Sequence, residues 1–571
     1  MNGIGVSPGI SIGKARVIRK TTNNANDIHL ENEADILKEV ERFDAAVKQS
    51  VQDIEILLDK GKDILRTEEL EILETQIEFL TDPQLKEDVE IKIRIEHEPV
   101  TKALEEVIQG LTEMFQKMDD EYLRTKADDY KDIGKRLMIH LNGGTATDQL
   151  LYLEDNMILI ADDFSPSETI SLDLRHVIGF ATRLGGKTSH TAIIAKSKGI
   201  PAIVGCGEIL NQVCDNDLLI LDGLEGLILI NPDDATISKY THLQEDYQKH
   251  SEWLKSLIVL PAITTDGQKI SLKANISVVE DMEAVMKNGG EGVGLLRTEL
   301  LFMGRKSFPT EDEQFEFYKQ IAGKSRQMPI VIRTIDIGGD KQLPYFKLPA
   351  ENNPFLGYRA IRICLDRPDL FLTQLRAILR ASKYGNLKIM FPMISGLQEL
   401  REAKAILSEA KKQLTYELIS FDADIETGIM IEVPSAALIA DVLAREVDFF
   451  SIGTNDLCQY TLAVDRMNEQ VAHLYDPYHP SVLRLIHQVI DQAMLNNIEV
   501  SLCGELASDP QVTLLLMGLG LTCFSMSAQS IPHIKNIIIN NSIKKAIEIA
   551  KNVMLMDDSK QIKTYLQLIN Q

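Results

Sequence analysis

The stretch FFSIGTNDLCQYTLAVDR, residues 449–466, joins a short apolar run to a polar turn and then to a helix-like segment. The run ends at Thr454, and Asn455 and Asp456 follow at once. Short apolar strands with polar residues directly behind them are typical of parallel sheets whose strand ends form a site. The fold therefore depends on how many similar runs flank this one.

Seven further strand-like runs alternate with helical segments on either side of it. They are KISLKANI (269–276), GVGLL (292–296), IVIRTI (330–335), LKIMFP (387–392), GIMIEV (428–433), VSLCG (500–504) and CFSMS (523–527). Eight alternating strand and helix units predict a (β/α)₈ TIM barrel for the C-terminal half of the chain.

Active sites of such barrels lie at the C-terminal ends of the strands. The residues found there are Arg297, Arg333, Glu432, Asn455, Asp456 and Cys503, with Arg466 in the loop beyond Asp456. Arginine binds phosphate and carboxylate through two parallel hydrogen bonds, and Mg²⁺ prefers oxygen ligands. Together these residues predict a Mg²⁺ site that holds a small polyanion.

Each of these residues also has an ordinary structural explanation. A single arginine at a barrel rim most often forms a salt bridge, and Glu432 could cap a helix or contact a loop. Cys503 is a candidate acid because of its position at a strand end, although buried cysteines are usually inert. The site prediction depends on five strand ends pointing to the same anion and metal chemistry.

The N-terminal half divides into an α/β part and a helical part. Residues 3–18 read as one or two short strands, and between about residues 145 and 232 short apolar runs alternate with turns and one helical stretch, TAIIAKSKG. The opening strands are expected to join that sheet. Apolar residues at helical spacing from Glu31 to about Leu141 predict an inserted set of helical hairpins or a small bundle. A charged connecting helix is expected from Asp234 to Leu260.

His190 lies in the run GGKTSHTAI, residues 185–193, where a Gly-rich loop enters a helix. Backbone N–H groups at a helix start can hold phosphoryl oxygens, and Lys187 adds a positive charge. A neutral imidazole there could attack phosphorus and carry the group. A capping or core histidine is the structural alternative, and the sequence leaves the two about even.

The bulk composition excludes several classes of protein. A net charge of −25 argues against nucleic acid, although it is compatible with a basic protein partner. The six cysteines have no metal-ligand spacing and fit reduced thiols in a cytoplasm. The chain start lacks the features of a signal peptide, and no stretch is long and apolar enough to span a membrane.

The motifs resemble those of enzyme I of the bacterial phosphotransferase system. The run GGKTSHTAIIAKSKGIPAIVG is similar to that family's phosphohistidine segment, and its barrel motifs are matched by GVGLLRTELLFM, RTIDIGGDK, NPFLGYRAIR, IMFPMIS, FFSIGTNDLCQYTLAVDR and SLCGELASDP. The resemblance runs in order from Gly3 to about Pro532. Pyruvate phosphate dikinase and phosphoenolpyruvate synthase share the barrel motifs but carry a large ATP-binding domain that has no counterpart here.

The resemblance implies a multidomain α/β architecture with a task for each segment. It implies a swivelling phosphohistidine α/β domain (1–20 and 145–232), an all-helical insertion that binds the carrier protein HPr (21–144), a linker helix (233–260), and a phosphoenolpyruvate-binding TIM barrel that forms the homodimer (261–571). The implied activity is transfer of the phosphoryl group of phosphoenolpyruvate to the enzyme and then to HPr, with release of pyruvate, as the first step of sugar uptake and phosphorylation.

The resemblance also implies roles for single residues. His190 would carry the phosphoryl group, and Cys503 would protonate the departing enolate. Phosphoenolpyruvate would be bound by Arg297, Arg333, Asn455, Asp456 and Arg466, and Mg²⁺ by Glu432 and Asp456. The sequence departs from the family's usual residues at Arg183, Leu184, Lys187, Cys458, Met467 and Gln76, and the last of these leaves the docking partner less certain.

Three alternatives stay open. A nitrogen-regulatory paralogue of enzyme I performs the same chemistry with its own counterpart of HPr, but it usually begins with a sensory domain, whereas Gly3 already begins the family's first strand. A catalytically silent sensor of phosphoenolpyruvate would not need His190 and Cys503. A dikinase fragment would lack the helical insertion at this point.

Overall fold

The structure is a computed structural model of the 571-residue chain. It describes residues 1–18, 30, 32–61, 67–116, 121–142, 156–164, 176–186, 189, 191–192, 195, 199–303, 305–339, 341, 343, 345–346, 348–349, 351–468 and 470–569. The chain divides into two compact units, Met1–His250 and Ser251–Gln571, and each is described here by itself.

The first unit is built on a seven-stranded sheet. Its strands are β1 (Ile4–Ser7), β2 (Ile10–Ile18), β3 (Met157–Ala161), β4 (Val177–Thr182), β5 (Ala202–Val204), β6 (Leu218–Asp222) and β7 (Leu227–Ile230). They are arranged in the order β1-β5-β4-β3-β2-β6-β7, with β2, β3, β4 and β5 parallel and β1, β6 and β7 antiparallel to their neighbours. The opening strands therefore belong to the α/β sheet, as predicted.

The part of the chain that the structure describes between β2 and β3 contains five helices. They are α1 (Glu33–Gly61), α2 (Thr67–Leu80), α3 (Pro83–Arg94), α4 (Val100–Gln116) and α5 (Glu121–Leu141). Their apolar faces form a separate core in which Phe43, Ile54 and Leu104 are fully or almost fully buried. Asp82 begins α3 by accepting a hydrogen bond from the backbone N–H of Gln84, and Pro83 occupies the first helical position. The predicted all-helical insertion is therefore confirmed.

Among the described residues, two further named helices follow in the first part of the chain, α6 (Ile209–Gln212) and α7 (Asp234–Ser256). Helix α7 is the predicted connecting helix, but it ends four residues before Leu260. The chain turns there, with the N–H of Leu257 bonded to the carbonyl of Leu254, ahead of Pro261. Proline disfavours a helical conformation at the residue before it, which explains the earlier end.

The second unit is a closed barrel of eight parallel strands, which confirms the predicted fold class. The strands are β8 (Ser271–Ile276), β9 (Val293–Leu296), β10 (Ile330–Arg333), β11 (Leu387–Phe391), β12 (Thr427–Ile431), β13 (Phe449–Ile452), β14 (Glu499–Leu502) and β15 (Cys523–Met526). Each pairs with the next, and β15 closes the barrel on β8.

Helices surround the barrel and alternate with its strands along the chain. They are α8 (Asp281–Lys287), α9 (Glu311–Lys324), α10 (Ile361–Asp366), α11 (Pro368–Ala381), α12 (Leu397–Tyr416), α13 (Pro434–Leu438), α14 (Ala440–Leu443), α15 (Thr454–Leu462), α16 (Pro480–Leu495), α17 (Thr513–Gly518), α18 (Ile531–Ile539), α19 (Ile543–Val553) and α20 (Ser559–Ile569). Successive strand residues point to opposite faces, so Phe450 packs towards the helices while its neighbour Phe449 packs inside the barrel. In the described part of the chain, no helix is long and apolar enough to cross a membrane.

Candidate active site

Arg333 ends strand β10 and is the centre of a buried ion cluster. Its guanidinium forms ion pairs with Glu299, in the short helical turn after β9, and with Asp336 at 3.1 Å. The ammonium of Lys341 contacts Glu299 at 2.8 Å and Asp336 at 3.1 Å. Burial alone would raise the pKa of both carboxyls, but the charges of Arg333 and its neighbours hold each pKa below its usual value. The cluster is therefore fully charged at neutral pH.

A second buried arginine, Arg359, links this cluster to Asp456 in the first turn of α15. Its guanidinium lies 3.1 Å from Asp336, 3.4 Å from Asp456 and 3.1 Å from the hydroxyl of Tyr460. The next residue, Ala360, has a left-handed backbone with φ of 52°, a conformation that non-glycine residues rarely adopt. The backbone at this point thus departs from regular structure beside a buried cation and two carboxylates.

Glu432 follows strand β12 and is completely buried. One carboxylate oxygen, Oε1, accepts a hydrogen bond from the backbone N–H of Met393 at 2.6 Å. The other, Oε2, has no hydrogen-bond partner among the residues that the structure describes. Burial, together with the charges of Asp456 and Asp336, raises the pKa of Glu432 to about 8. A side chain at Gly453 would place its Cβ only 3.0 Å from Oε2, so glycine leaves that oxygen open.

These carboxylates fit a divalent cation. A buried carboxylate oxygen without a partner is costly, because nothing replaces the water lost on burial. Asp456 lies in the first turn of α15 and is 9% exposed, and its charge is one of those that act on Glu432. The two negative carboxylates repel each other and offer hard oxygen atoms. This is the kind of ligand set that binds Mg²⁺. Glu432, through Oε2, and Asp456 would hold the cation.

Asn455 and the two remaining predicted arginines are more exposed than Arg333 and its two carboxylate partners in the ion cluster. Asn455 exchanges hydrogen bonds with Glu505, donating to its carboxylate at 3.3 Å and accepting from its backbone N–H at 3.0 Å. Arg297 is exposed and Arg466 is half-buried. Neither guanidinium forms an ion pair with any described residue, whereas Arg333 is neutralised twice. The charges of Arg297 and Arg466 are therefore not neutralised by any carboxylate that the structure describes.

Cys503 follows strand β14 and is 3% exposed. Its thiol donates to the carbonyl of Ile452 at 3.5 Å. Burial raises the pKa of this thiol to about 11, and the charges of Glu432, Arg333 and Arg297 also act on it. The sulfur thus lies within the electrostatic reach of the predicted metal and anion site. It carries a proton at neutral pH, as a donor must.

The predicted nucleophile, His190, lies outside the described residues, as does Lys187. An ion pair and a hydrogen bond involve described residues of the same sequence region or of the loops that follow β3 and β4. Arg183 forms an ion pair with Asp162, and the hydroxyl of Thr191 donates to Asp163 at 3.1 Å. The role of His190 stays a prediction from the sequence.

Four residues of the site were absent from the sequence prediction: Glu299, Asp336, Lys341 and Arg359. Two signals pointed towards them. Asp336 and Lys341 lie in the polar loop RTIDIGGDK directly after β10, and Glu299 lies two residues past Arg297. Arg359 lies in the motif NPFLGYRAIR, but no predicted strand ends beside it, and only the folded chain brings it to Asp456.

The chain matches three domains of a class of enzymes that use phosphoenolpyruvate. A family model described as the phosphoenolpyruvate-binding domain of phosphoenolpyruvate-utilising enzymes matches residues 251–543. Models of the N-terminal and mobile domains of the same enzymes match residues 2–126 and 153–226.

Within this class the chain belongs to the phosphoenolpyruvate-protein phosphotransferase family. A phosphoenolpyruvate-protein phosphotransferase from Priestia megaterium is 44% identical over 97% of this chain and 98% of its own length. A protein of the same name from Buchnera aphidicola is 45% identical over 100% of this chain and 99% of its own length. A solution structure of an enzyme I protein is 35% identical and covers 43% of this chain and 99% of its own, with a TM-score of 0.38.

Proposed function

We propose that this protein transfers the phosphoryl group of phosphoenolpyruvate to its own His190 and then to the histidine of the carrier protein HPr, releasing pyruvate. This is the general enzyme I reaction, the first step of sugar uptake and phosphorylation. The observation that carries the proposal is the unpartnered carboxylate oxygen of Glu432 beside Asp456, among arginines at the C-terminal end of the barrel. The full-length similarity to named phosphoenolpyruvate-protein phosphotransferases supports the same reaction.

The arginines divide into two kinds by their surroundings. Arg333 and Arg359 are buried and held by carboxylates, so their guanidinium groups are fixed before any ligand arrives. Arg297 and Arg466 form no such pair with any described residue, and they would bind the phosphate or carboxylate of phosphoenolpyruvate. Fixed positive charge of this kind stabilises the charge that spreads over the phosphoryl oxygens during transfer.

Mg²⁺ bound by Glu432 and Asp456 would neutralise negative charge on the substrate's phosphate and carboxylate oxygens. The N–H of Met393 fixes Glu432 in place through Oε1, which leaves Oε2 for the cation. Asn455 is oriented by its exchange with Glu505 and would donate to a substrate oxygen. The buried thiol of Cys503 would give its proton to the methylene carbon of the departing enolate, and formation of pyruvate would drive the transfer forward.

The partners and setting are part of the same proposal. The helical insertion, residues 21–144, would dock HPr or its nitrogen-branch counterpart, and the α/β domain would swivel to carry His190 between donor and acceptor. The barrel would form the homodimer, and the reduced cysteines fit a cytoplasmic protein.

The stoichiometry of pyruvate release tests the proposal. Purified protein mixed with Mg²⁺ and phosphoenolpyruvate should release about one pyruvate per chain and then stop, because the phosphoryl group has nowhere further to go. Addition of HPr should make the release continuous. A protein that binds phosphoenolpyruvate without any burst of pyruvate would contradict the proposal and favour the silent sensor.

A further inference from the structure

The inner face of the barrel carries a layer of small polar side chains beneath Cys503. Ser451 on β13 and Ser501 on β14 pair in register, and Ser525 and Asn275 lie on β15 and β8. Ser451 lies two residues after Phe449, which packs inside the barrel with Cys503, so both strand residues point inward. The layer is enclosed, because Ser451 and Ser525 are completely buried.

Three of these four side chains have hydrogen-bond partners. Ser525 donates to Asn275 at 2.6 Å, and the Asn275 amide donates to the backbone carbonyl of Cys503 at 2.9 Å. Ser501 donates to the carbonyl of Phe450 at 3.4 Å. Asn275 and Ser525 therefore fix the backbone of Cys503 from one side.

Ser451 is the exception in this layer. Its hydroxyl makes no hydrogen bond with any described residue, although buried hydroxyl groups are almost always paired. It lies beside the thiol: the N–H and the Sγ of Cys503 both bond to the carbonyl of Ile452, the residue after Ser451, at 3.0 and 3.5 Å. Burial raises the pKa of the thiol, and the hydroxyl of Ser451 opposes this as a nearby donor, although its geometry falls short of a hydrogen bond while the sulfur is neutral.

We propose that Ser451 is a positioning residue for Cys503, and that its hydroxyl donates a hydrogen bond to the sulfur once the thiol has lost its proton. This inference rests on the proposed function, in which Cys503 protonates the enolate. In that step the S–H bond breaks and a C–H bond forms at the methylene carbon, so the enolate becomes the ketone of pyruvate and the sulfur keeps the electron pair as a thiolate. Water restores the proton before the next turnover.

The neutral and the charged sulfur of Cys503 need different partners. This explains why the Ser451 hydroxyl has no hydrogen-bond partner among the described residues while the thiol is neutral. The neutral thiol is a donor and is satisfied by the Ile452 carbonyl. A thiolate can only accept, and it would face that carbonyl and the negative charge of Glu432, with Arg333 and Arg297 as the opposing charges. The Ser451 hydroxyl is a side-chain donor beside it that is not already committed.

Exchange of the methyl protons of pyruvate with D₂O tests this step without phosphoryl transfer. Protein supplied with Mg²⁺ and pyruvate, but no phosphoenolpyruvate, should catalyse the exchange through the Cys503 thiolate, and ¹H NMR follows the loss of the methyl signal. Ser451→Ala should slow both the exchange and kcat by about tenfold or more, with KM unchanged, because only the charged sulfur loses a partner. Ser451→Thr keeps a hydroxyl and should retain most of the rate.

Ser501→Ala is the matched control, since it removes a hydroxyl from the paired position on the next strand and should leave both rates unchanged. If Ser451→Ala does not fold, Ser451→Cys keeps the size with a much weaker donor and should show the same loss. Equal rates for the Ser451 and Ser501 variants would overturn the inference alone, provided that the wild-type chain takes up phosphoryl label on His190. An unlabelled wild-type chain would overturn the proposed function as well.

Discussion

Glu432 shows most clearly how burial and charge prepare this site for a ligand. A buried carboxylate that keeps one oxygen open and has a pKa of about 8 is destabilising unless something positive arrives. We expect Glu432→Gln to remove the rise in melting temperature that Mg²⁺ gives the wild-type chain. Turnover should fall by at least about 100-fold, because the amide cannot neutralise the cation. Differential scanning fluorimetry with and without Mg²⁺, alongside the pyruvate assay, measures both effects.

Glu446→Gln is the control for this substitution. Glu446 pairs with Arg401 at 2.8 Å on the surface of the same unit, so its loss should change neither the Mg²⁺ response nor the turnover. If Glu432→Gln kept the Mg²⁺ response of the wild-type chain, Glu432 would not be a ligand.

The expectation that active-site residues follow the barrel strands predicted only those residues of this site that are close to a strand end in the sequence. It identifies Arg333, Glu432 and Asp456 because each lies at or just after a strand end. It could not predict that Arg333 is neutralised by Glu299 and Asp336, because those contacts join separate loops. Nor could it predict Arg359, which reaches Asp456 from the far end of a long connection.

At the scale of elements, the N-terminal end of the barrel is closed by a chain of charges. Lys273 on β8 forms an ion pair with Glu499, which begins β14, and Lys388 on β11 lies 3.4 Å from the same carboxylate. The Lys273 side chain is only 6% exposed, whereas that of Glu499 is 37% exposed. Removing Glu499 leaves a buried ammonium without a full counter-charge, which is the costly way to break such a pair.

We therefore expect Glu499→Gln to lower the free energy of unfolding of the barrel by about 2 kcal/mol, less than for a fully enclosed pair because Glu499 is partly screened by water. Urea unfolding followed by circular dichroism measures the change. Glu426→Gln removes the more exposed partner of Lys388, at 2.5 Å, and should cost less than about 1 kcal/mol. Equal losses for the two variants would contradict the buried-pair explanation.

The ion pair between Lys273 and Glu499 makes the stability of the barrel depend on pH. Burial raises the pKa of Glu499, but Lys273 lowers it further, so its folded pKa lies below the usual 4.5. Burial lowers the pKa of Lys273, but Cys523 and Glu499 raise it above 10.5. The stabilisation is therefore complete between pH 4.5 and pH 10.5, the usual pKa values of the two groups. It is lost as pH falls through the folded pKa of Glu499 or rises through the folded pKa of Lys273. The difference between wild type and Glu499→Gln should shrink below pH 4.5.

The strands themselves were predictable because their apolar runs are short, regularly spaced and bounded by polar turns. Each of the eight predicted runs overlaps a barrel strand. The end of helix α7 was less predictable, because helical spacing continues past Ser256 while the backbone has already turned ahead of Pro261.

At the scale of the whole molecule, the two compact units should respond separately to ligands. We expect calorimetry of the full chain to show two transitions. Saturating phosphoenolpyruvate with Mg²⁺ should raise the temperature of the barrel transition only. The free energy of unfolding of the barrel should increase by about 2.7 kcal/mol at a ligand concentration 100 times the Kd. Glu499→Gln identifies the barrel transition, because this substitution should lower the temperature of that transition and leave the other transition unchanged. A single transition that moves as a whole would contradict two independently stable units.

The tasks assigned to the segments of the first unit stay predictions, because carrier docking on residues 21–144 depends on a partner. The net charge of −25 is compatible with a basic partner, and no position in the helices identifies it. Charge alone does not distinguish HPr from its nitrogen-branch counterpart.

The most direct measurement is to incubate the protein with Mg²⁺ and phosphoenolpyruvate labelled in its phosphoryl group, and then to map the label by proteolysis. The account predicts acid-labile, base-stable label on the peptide that carries His190, none in His190→Ala, and none in Glu432→Gln within the same time. Label on another residue would contradict the role of His190. A chain that binds phosphoenolpyruvate but takes up no label would contradict phosphoryl transfer itself.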